Sequence, residues 1–431
     1  MRLRSTNSRS PAADLRTALL QGLAPDGGLY LPERLTPISP STLESLRARS
    51  FVEVAGTLAR LLLSEAIAPP ELDVLVESTL DFPIPLVELE PDVHVLELFH
   101  GPTPAFKDVG ARFMAKLLNH VGPVDPGGIT VLVATSGDTG SAVANAFLDV
   151  PGVQTVVLYP RGKVSALQER QFTTLGGNVR ALEVEGTFDD CQRLVKEAFA
   201  DDELRAHLHL TSANSINIGR LLPQVFYYFH AWAQLPEGPP PVFSVPSGNF
   251  GNLTGGLIAK RLGLPTRGFV AATNVNDTVP EYLNSGVVRP KPSVQTISNA
   301  MDVGDPSNLA RILTLYDHDV EHLRADVVDG VHDAADTRKA IREVYEATGR
   351  VLDPHSAVAY LGVTAGRKAF GEGPSVCLAT AHPVKFREVV EAEIGVPVPV
   401  SGRLSALLEA ERHVTAMGAQ LEALRELLLD G

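Results

Sequence analysis

The strongest restriction on the fold is a regular alternation that begins at residue 129. Residues 129–134 form an unbroken apolar run of strand length, 135–140 a polar loop with two glycines, and 141–148 a stretch with helical spacing. The unit recurs. Apolar runs of strand length lie at 153–159, 179–184, 207–211, 242–245 and 268–273, and helical spacing lies at 164–175, 187–199, 218–234 and 253–262. Apolar strands alternating with helices predict right-handed crossovers and mainly parallel sheets covered on both faces. Such sheets bind ligands beyond the carboxyl ends of their strands. Upstream of residue 95, helical spacing at 43–48 and 51–63 and the Pro69-Pro70 junction predict helical pieces joined by proline-rich connections.

Three loops that leave predicted strands carry more polar groups than a connection needs. Ser247-Gly248-Asn249-Phe250-Gly251-Asn252 opens a helix. Its glycines let backbone N–H groups approach a ligand, and the helix end adds partial positive charge, a combination suited to a phosphate. No Walker lysine follows and the spacing is not G-x-G-x-x-G, so ATP and dinucleotide readings lose support. A turn that only joins strand to helix has the same composition. Thr135 to Gly140 offers hydroxyls, a carboxylate and two glycines. It fits a substrate carboxylate, or simple capping by Asp138 or Ser141. Thr211 to Arg220 crowds Asn and Ser side chains at a strand end, with Arg220 one turn into the next helix; the Arg fork matches phosphate oxygens. A fourth strand, 376–380, ends in Thr380, whose hydroxyl could meet a ring nitrogen, and His382 follows it.

Lys107 stands in an apolar segment, His100-Gly101-Pro102-Thr103-Pro104-Ala105-Phe106-Lys107-Asp108, before a helical pattern. Desolvation disfavours the ammonium form, and a neutral amine can attack a carbonyl to give a Schiff base. The alternative is a lysine whose head reaches solvent beside Asp108.

The chain has 431 residues, room for two or three domains. Its formal net charge of −14 argues against a broad nucleic-acid surface. No apolar run is long enough for a bilayer-spanning helix. Neither of the two cysteines, Cys191 and Cys377, lies in a C-x-x-C pattern, so a reducing compartment is expected and no metal site is indicated. The first ten residues are rich in Arg and Ser but have no apolar h-region. The chain is expected to be cytoplasmic.

Read together, these segments, with Gly22 to Tyr30 and Ala379 to Phe386, resemble pyridoxal-phosphate enzymes of fold type II, the tryptophan-synthase β-like family. More narrowly, they resemble threonine synthases of bacterial and fungal type. Only the N-terminal Ser5-Thr6-Asn7-Ser8-Arg9 departs from the family's Ser-Thr-Arg-Gly pattern. The resemblance implies two open, mainly parallel sheets flanked by helices, after an N-terminal, mainly helical region at 1–95. It implies an α/β domain at 96–240 carrying Lys107 and the substrate-carboxylate loop, and another at 241–431 carrying the cofactor-phosphate loop and Thr380. Lys107 is implied as the lysine that joins the pyridoxal phosphate aldehyde. Gly248, Asn249, Phe250, Gly251 and Asn252 are implied around the cofactor phosphate, with Thr380 at the pyridine nitrogen. Ser136, Gly137, Asp138 and Thr139 are implied at the substrate carboxylate, and Ser215, Asn217 and Arg220 at the substrate phosphate. The implied reaction converts O-phospho-L-homoserine and water to L-threonine and phosphate, in a monomer or homodimer with no nucleic-acid or membrane partner. Threonine dehydratase or cysteine synthase chemistry on the same fold is the neighbouring alternative. A non-catalytic protein that binds a phosphorylated metabolite is the other.

Overall fold

The computed structural model describes residues 1–122, 128–400 and 402–429. The chain opens with β1 (Arg2–Ser5), β2 (Ala13–Asp14) and β3 (Tyr30–Pro32), which form a small antiparallel sheet in the order β2-β1-β3. Ser5 Oγ donates to Asp26 Oδ1 at 2.6 Å and Leu29 N–H donates to Thr6 Oγ1 at 2.9 Å, so the departing N-terminal motif still ties this sheet to the 26–29 turn. Helices Phe51–Leu63 and Pro69–Thr79 follow. The first begins with a capping box between Ser50 and Glu53 and buries Val54, Leu58, Leu62 and Leu63 at helical spacing.

The strands β4 (Leu86–Glu90), β5 (Val93–Glu97), β6 (Ile129–Ala134), β7 (Val153–Pro160) and β8 (Val179–Val184) come next. They are followed by β9 (Leu210–Ser212), β10 (Val242–Pro246), β11 (Gly268–Thr273), β12 (Val327–Val331), β13 (Ser375–Ala379) and β14 (Val414–Met417). A five-stranded sheet has the order β14-β8-β7-β6-β9 and is parallel throughout. A six-stranded sheet has the order β12-β11-β10-β13-β5-β4, parallel except for β4 at its edge. The apolar runs of β6, β10, β11 and β13 are buried along their whole length, as strands covered on both faces must be.

Besides its helices, the region at 1–95 holds the small sheet and most of the β4–β5 hairpin. Two expectations are corrected here. The sheets do not divide at residue 240. β5 leaves the first half of the chain to pair with β13, and β14 returns from the C-terminus to pair with β8. These strands are short and their patterns imperfect, so distant pairing partners decide them. The strand expected at 207–211 starts later, because 202–207 is helical.

Candidate active site

The loops leaving β6, β9, β10 and β13 meet at one cavity of about 100 Å³. Its wall includes Lys107, Ser136, Thr139, Ser215, Arg220, Gly248 to Asn252 and Thr380, which the sequence reading singled out. It also includes Phe188, Gln192, Asn214, Gln224, Met301 and His355, which that reading missed.

Lys107 begins the helix Lys107–Val121. The turn before it is joined to the end of β13: Phe106 N–H donates to Thr380 O at 2.9 Å, and His382 N–H to Pro104 O at 3.1 Å. Asp108 does not pair with Lys107. Its buried carboxylate accepts Thr103 N–H at 2.8 Å and Thr103 Oγ–H at 2.6 Å. Lys107 is partly exposed and lines the cavity, and among the described residues its Nζ has no hydrogen-bond or ion-pair partner within 4 Å. Burial pulls its pKa down to about 8; Asp138 opposes the shift, while Lys385 and Arg220 add to it. At neutral pH an appreciable fraction of the amine is uncharged.

The turn after β10 forms an anion cradle. Hydrogen bonding within the protein stops at Ser247 N–H, which donates to Ala272 O, and resumes at Leu253 N–H and Thr254 N–H. Among the described residues, the amides of Gly248 through Asn252 have no acceptor. Phe250 sits in the left-handed region at φ 59°, which curls these amides around the start of the helix Gly251–Arg261. Gly248 is required by packing, since a Cβ there would lie 2.7 Å from Ala300 O and from Met301 Cα. The Asn252 side chain faces inward, accepting from Ser247 Oγ and donating to Pro246 O. It braces the turn, leaving the backbone as the donor set.

Thr380 lines the cavity and its hydroxyl has no protein partner among the described residues. His382 is structural: its ring accepts Val384 N–H at 3.1 Å and packs edge-on against Phe99. His355 is held in one tautomer. Ala300 N–H can only donate, so Nε2 accepts at 3.2 Å and the ring proton sits on Nδ1, toward Asp353 Oδ2 at 2.6 Å.

After β6, Thr135 rather than Asp138 or Ser141 caps the helix, accepting Gly137 N–H at 2.9 Å and Gly140 N–H at 2.8 Å. Ser136 and Thr139 face the cavity. Gly137, at φ 145° against the Gln168 side chain, and Asp138 are not part of its wall. Asp138 Oδ1 instead accepts from Lys385 Nζ at 2.7 Å and from Gln168 Nε2 at 2.8 Å, with both charged groups buried. Burial pushes the Asp138 carboxyl up, but Lys385, Lys107 and Gln168 reverse this and hold it at about 2. A group so committed, and negative, is no partner for a carboxylate.

Asn217 is also corrected. It is buried as a helix cap, accepting Gly219 N–H and donating to Leu19 O and Ser212 O, off the cavity wall. Arg220 remains. It is 4% exposed, lines the cavity and leaves its Nε–H without a partner. Burial lowers its pKa to about 10, so it keeps its charge at neutral pH. A buried guanidinium that lines a cavity and has a neutral carbonyl, Ala213 O, as its hydrogen-bond acceptor is suited to an anion there.

A lysine with a lowered pKa, an amide cradle for one phosphate and a free hydroxyl across the cavity fit pyridoxal phosphate, and the comparisons place the chain in that class. Residues 79–381 match the family model of pyridoxal-phosphate dependent enzymes. Residues 2–80 match that of the threonine synthase N terminus, and 356–428 that of the threonine synthase C-terminal region. The chain is 43% identical to threonine synthase of Escherichia coli strain K12, with all of both chains covered. The crystal structure of threonine synthase from Escherichia coli superimposes with a TM-score of 0.93 over the whole of both chains. A pyridoxal-phosphate-bound threonine synthase from Brucella melitensis, 36% identical, gives 0.92 over 99% of this chain and 98% of that one. The chain belongs to the threonine synthase family of pyridoxal-phosphate dependent enzymes. Among the described residues no helix is long and apolar enough to cross a membrane, and no cluster of His, Cys, Asp and Glu could hold a metal.

Proposed function

We propose that this chain converts O-phospho-L-homoserine and water to L-threonine and phosphate, with pyridoxal phosphate joined to Lys107. One observation carries the reading: a lysine of lowered pKa shares a cavity with two separate places for a phosphate, the Gly248–Asn252 amides and Arg220. Bound there, the cofactor supplies an aldehyde for the substrate amine and a ring that withdraws electrons. Lys107, once free, takes the proton from the substrate Cα and serves as the general acid–base group. The Gly248, Asn249, Phe250, Gly251 and Asn252 backbone holds the cofactor phosphate, while the Thr380 hydroxyl faces the ring nitrogen. Ser136 and Thr139 orient the substrate carboxylate. Arg220 holds the substrate phosphate until loss of a Cβ proton expels it from Cγ; a proton is then returned to Cγ, water adds its hydroxyl at Cβ, and a proton returns to Cα. A threonine dehydratase would leave Arg220 without an anion, which favours the phosphorylated substrate.

The localisation is read as cytoplasmic, the assembly as monomer or homodimer, and the small-molecule substrate as the sole partner. The two larger sheets are read as two α/β units that exchange β5 and β14.

Borohydride treatment of the protein with pyridoxal phosphate should leave a pyridoxyl group on the Lys107 peptide. The untreated enzyme should release phosphate from O-phospho-L-homoserine and little ammonia from L-threonine. Lys107→Ala should lose the pyridoxyl tag and at least roughly a hundredfold in turnover, with its circular dichroism unchanged. Near-normal turnover in that variant would defeat the assignment.

A further inference from the structure

Arg311 is fully buried, yet every acceptor it meets is neutral. Its Nε donates to Tyr30 O at 2.9 Å, Nη1 to Ser215 O at 2.9 Å and to Asn308 Oδ1 at 2.7 Å, and Nη2 to Ile216 O at 2.5 Å. Guanidinium cannot accept a hydrogen bond, so Arg311 fixes the Asn308 amide with its oxygen inward. Asn308 Nδ2 must then donate outward, to Ser215 Oγ at 3.2 Å and to Asn249 O at 3.0 Å. Asn249 is fixed independently. Ser307 N–H can only donate, and it reaches Asn249 Oδ1 at 2.6 Å, so Asn249 Nδ2 donates to Ser215 Oγ at 2.7 Å. Both acceptor positions of the Ser215 hydroxyl are therefore filled. Its proton has no protein acceptor among the described residues, and the side chain borders the cavity.

We propose that Arg311 and Asn308 are positioning residues that make Ser215 a one-way hydrogen-bond donor to a phosphate monoester in the active-site cavity. The inference rests on the function proposed above. The donors run in one direction, from the buried Arg311 cation through Asn308 and from Ser307 N–H through Asn249, and converge on one hydroxyl, so the site rejects groups that can only donate and favours an anionic oxygen. Two phosphates share this chemistry. Arg220, on the same wall, points to that of the substrate. The Ser215 Cβ lies 3.3 Å from where a Cβ on Gly251 would stand, which points to that of the cofactor.

The test uses Asn308→Asp and Ser215→Ala in the full-length holoenzyme. Asn308→Asp is isosteric and still satisfies Arg311, but it replaces one donor at Ser215 Oγ by an acceptor that captures the hydroxyl proton. Two affinities are measured: pyridoxal phosphate by equilibrium dialysis, with pyridoxal as the phosphate-free control, and inorganic phosphate by calorimetry. A hydrogen bond to a charged group is at stake, so roughly a tenfold loss or more is expected in one of the two phosphate affinities in both variants. Pyridoxal affinity should stay unchanged, which a merely structural defect would not allow. A loss confined to pyridoxal phosphate assigns Ser215 to the cofactor; a loss confined to inorganic phosphate, with a raised KM and a preserved kcat, assigns it to the substrate. If Asn308→Asp does not fold, Ser215→Ala decides alone. Both affinities within about twofold of wild type in a folded variant overturn the proposal. Absence of a pyridoxyl group on Lys107 in the wild type would instead defeat the underlying function.

Discussion

Lys385→Met should cost more stability than any surface substitution, and the cost should depend on Asp138. Methionine keeps the apolar stem of the side chain but removes the ammonium group that meets Asp138 at 2.7 Å, where both groups are buried. Removing one partner of a buried pair costs about 3–5 kcal/mol, because the other charge is left in a medium that solvates it poorly. Gln168 still donates to Asp138 and Lys107 stands near, so the lower end, about 3 kcal/mol, is expected. That is a large part of the roughly 5–15 kcal/mol that holds a typical protein folded. The pH dependence has a definite sign. In the wild type Asp138 sits at about 2, below its ordinary 3.8, so its contribution is present above 3.8 and is lost as pH falls toward 2. In Lys385→Met burial pushes the same carboxyl upward, and the penalty should shrink as falling pH protonates it. Urea unfolding near neutral pH and in mild acid measures both effects. Adding Asp138→Asn removes the stranded charge while Oδ1 still accepts from Gln168, so the double variant should return to within about 1 kcal/mol of wild type. A loss below about 1 kcal/mol for Lys385→Met, or a double variant no more stable than the single one, would refute the reasoning.

Gly248→Ala places a methyl 2.7 Å from Ala300 O, so the turn must shift and cofactor affinity should fall at least roughly tenfold by equilibrium dialysis, the worth of one hydrogen bond to a charged group. Thr380→Val deletes a hydroxyl at nearly constant volume. It should shift the visible band of the bound cofactor and leave thermal stability within about 0.5 kcal/mol, since that hydroxyl has no protein partner to lose. In cofactor-free protein the acylation rate of Lys107 should rise with pH through a midpoint near 8, because burial disfavours its ammonium form. Lys385→Met should move that midpoint upward, since a repelling cation is gone. A midpoint near 10.5, the ordinary lysine value, would contradict the burial argument.

What the sequence made legible were groups whose chemistry is local. A strand of apolar residues, a turn and a helix start at 242–262 place backbone amides at a helix end whatever the remainder of the chain does. The same holds for Ser136 and Thr139, and for Lys107 with its two upstream prolines. What stayed hidden was each side chain's partner. Asp138 reads as a loop carboxylate until Lys385, far along the chain, is known to lie against it. Asn217 reads as a ligand group until Leu19 is known to take its amide. Arg311 is an ordinary helical residue in the sequence, and nothing local says that its fork closes on Tyr30 and Ser215.

The strands that cross between the sheets explain how these parts hold their places. Leu98 N–H donates to Ala379 O and Phe106 N–H to Thr380 O, so the segment leading to Lys107 is laced to the end of β13. β13 pairs directly with β10, whose outgoing turn is the amide cradle. On the proposed reading, the ring-nitrogen partner and the phosphate cradle of the cofactor belong to the six-stranded sheet, while the helix that Lys107 begins packs against the helices carrying Thr139 and Arg220. Ser136, Thr139, Ser215 and Arg220 follow β6 and β9 of the other sheet. The Asn249–Ser215 and Lys385–Asp138 contacts span the two groups of loops and hold the two sides of the cavity in register.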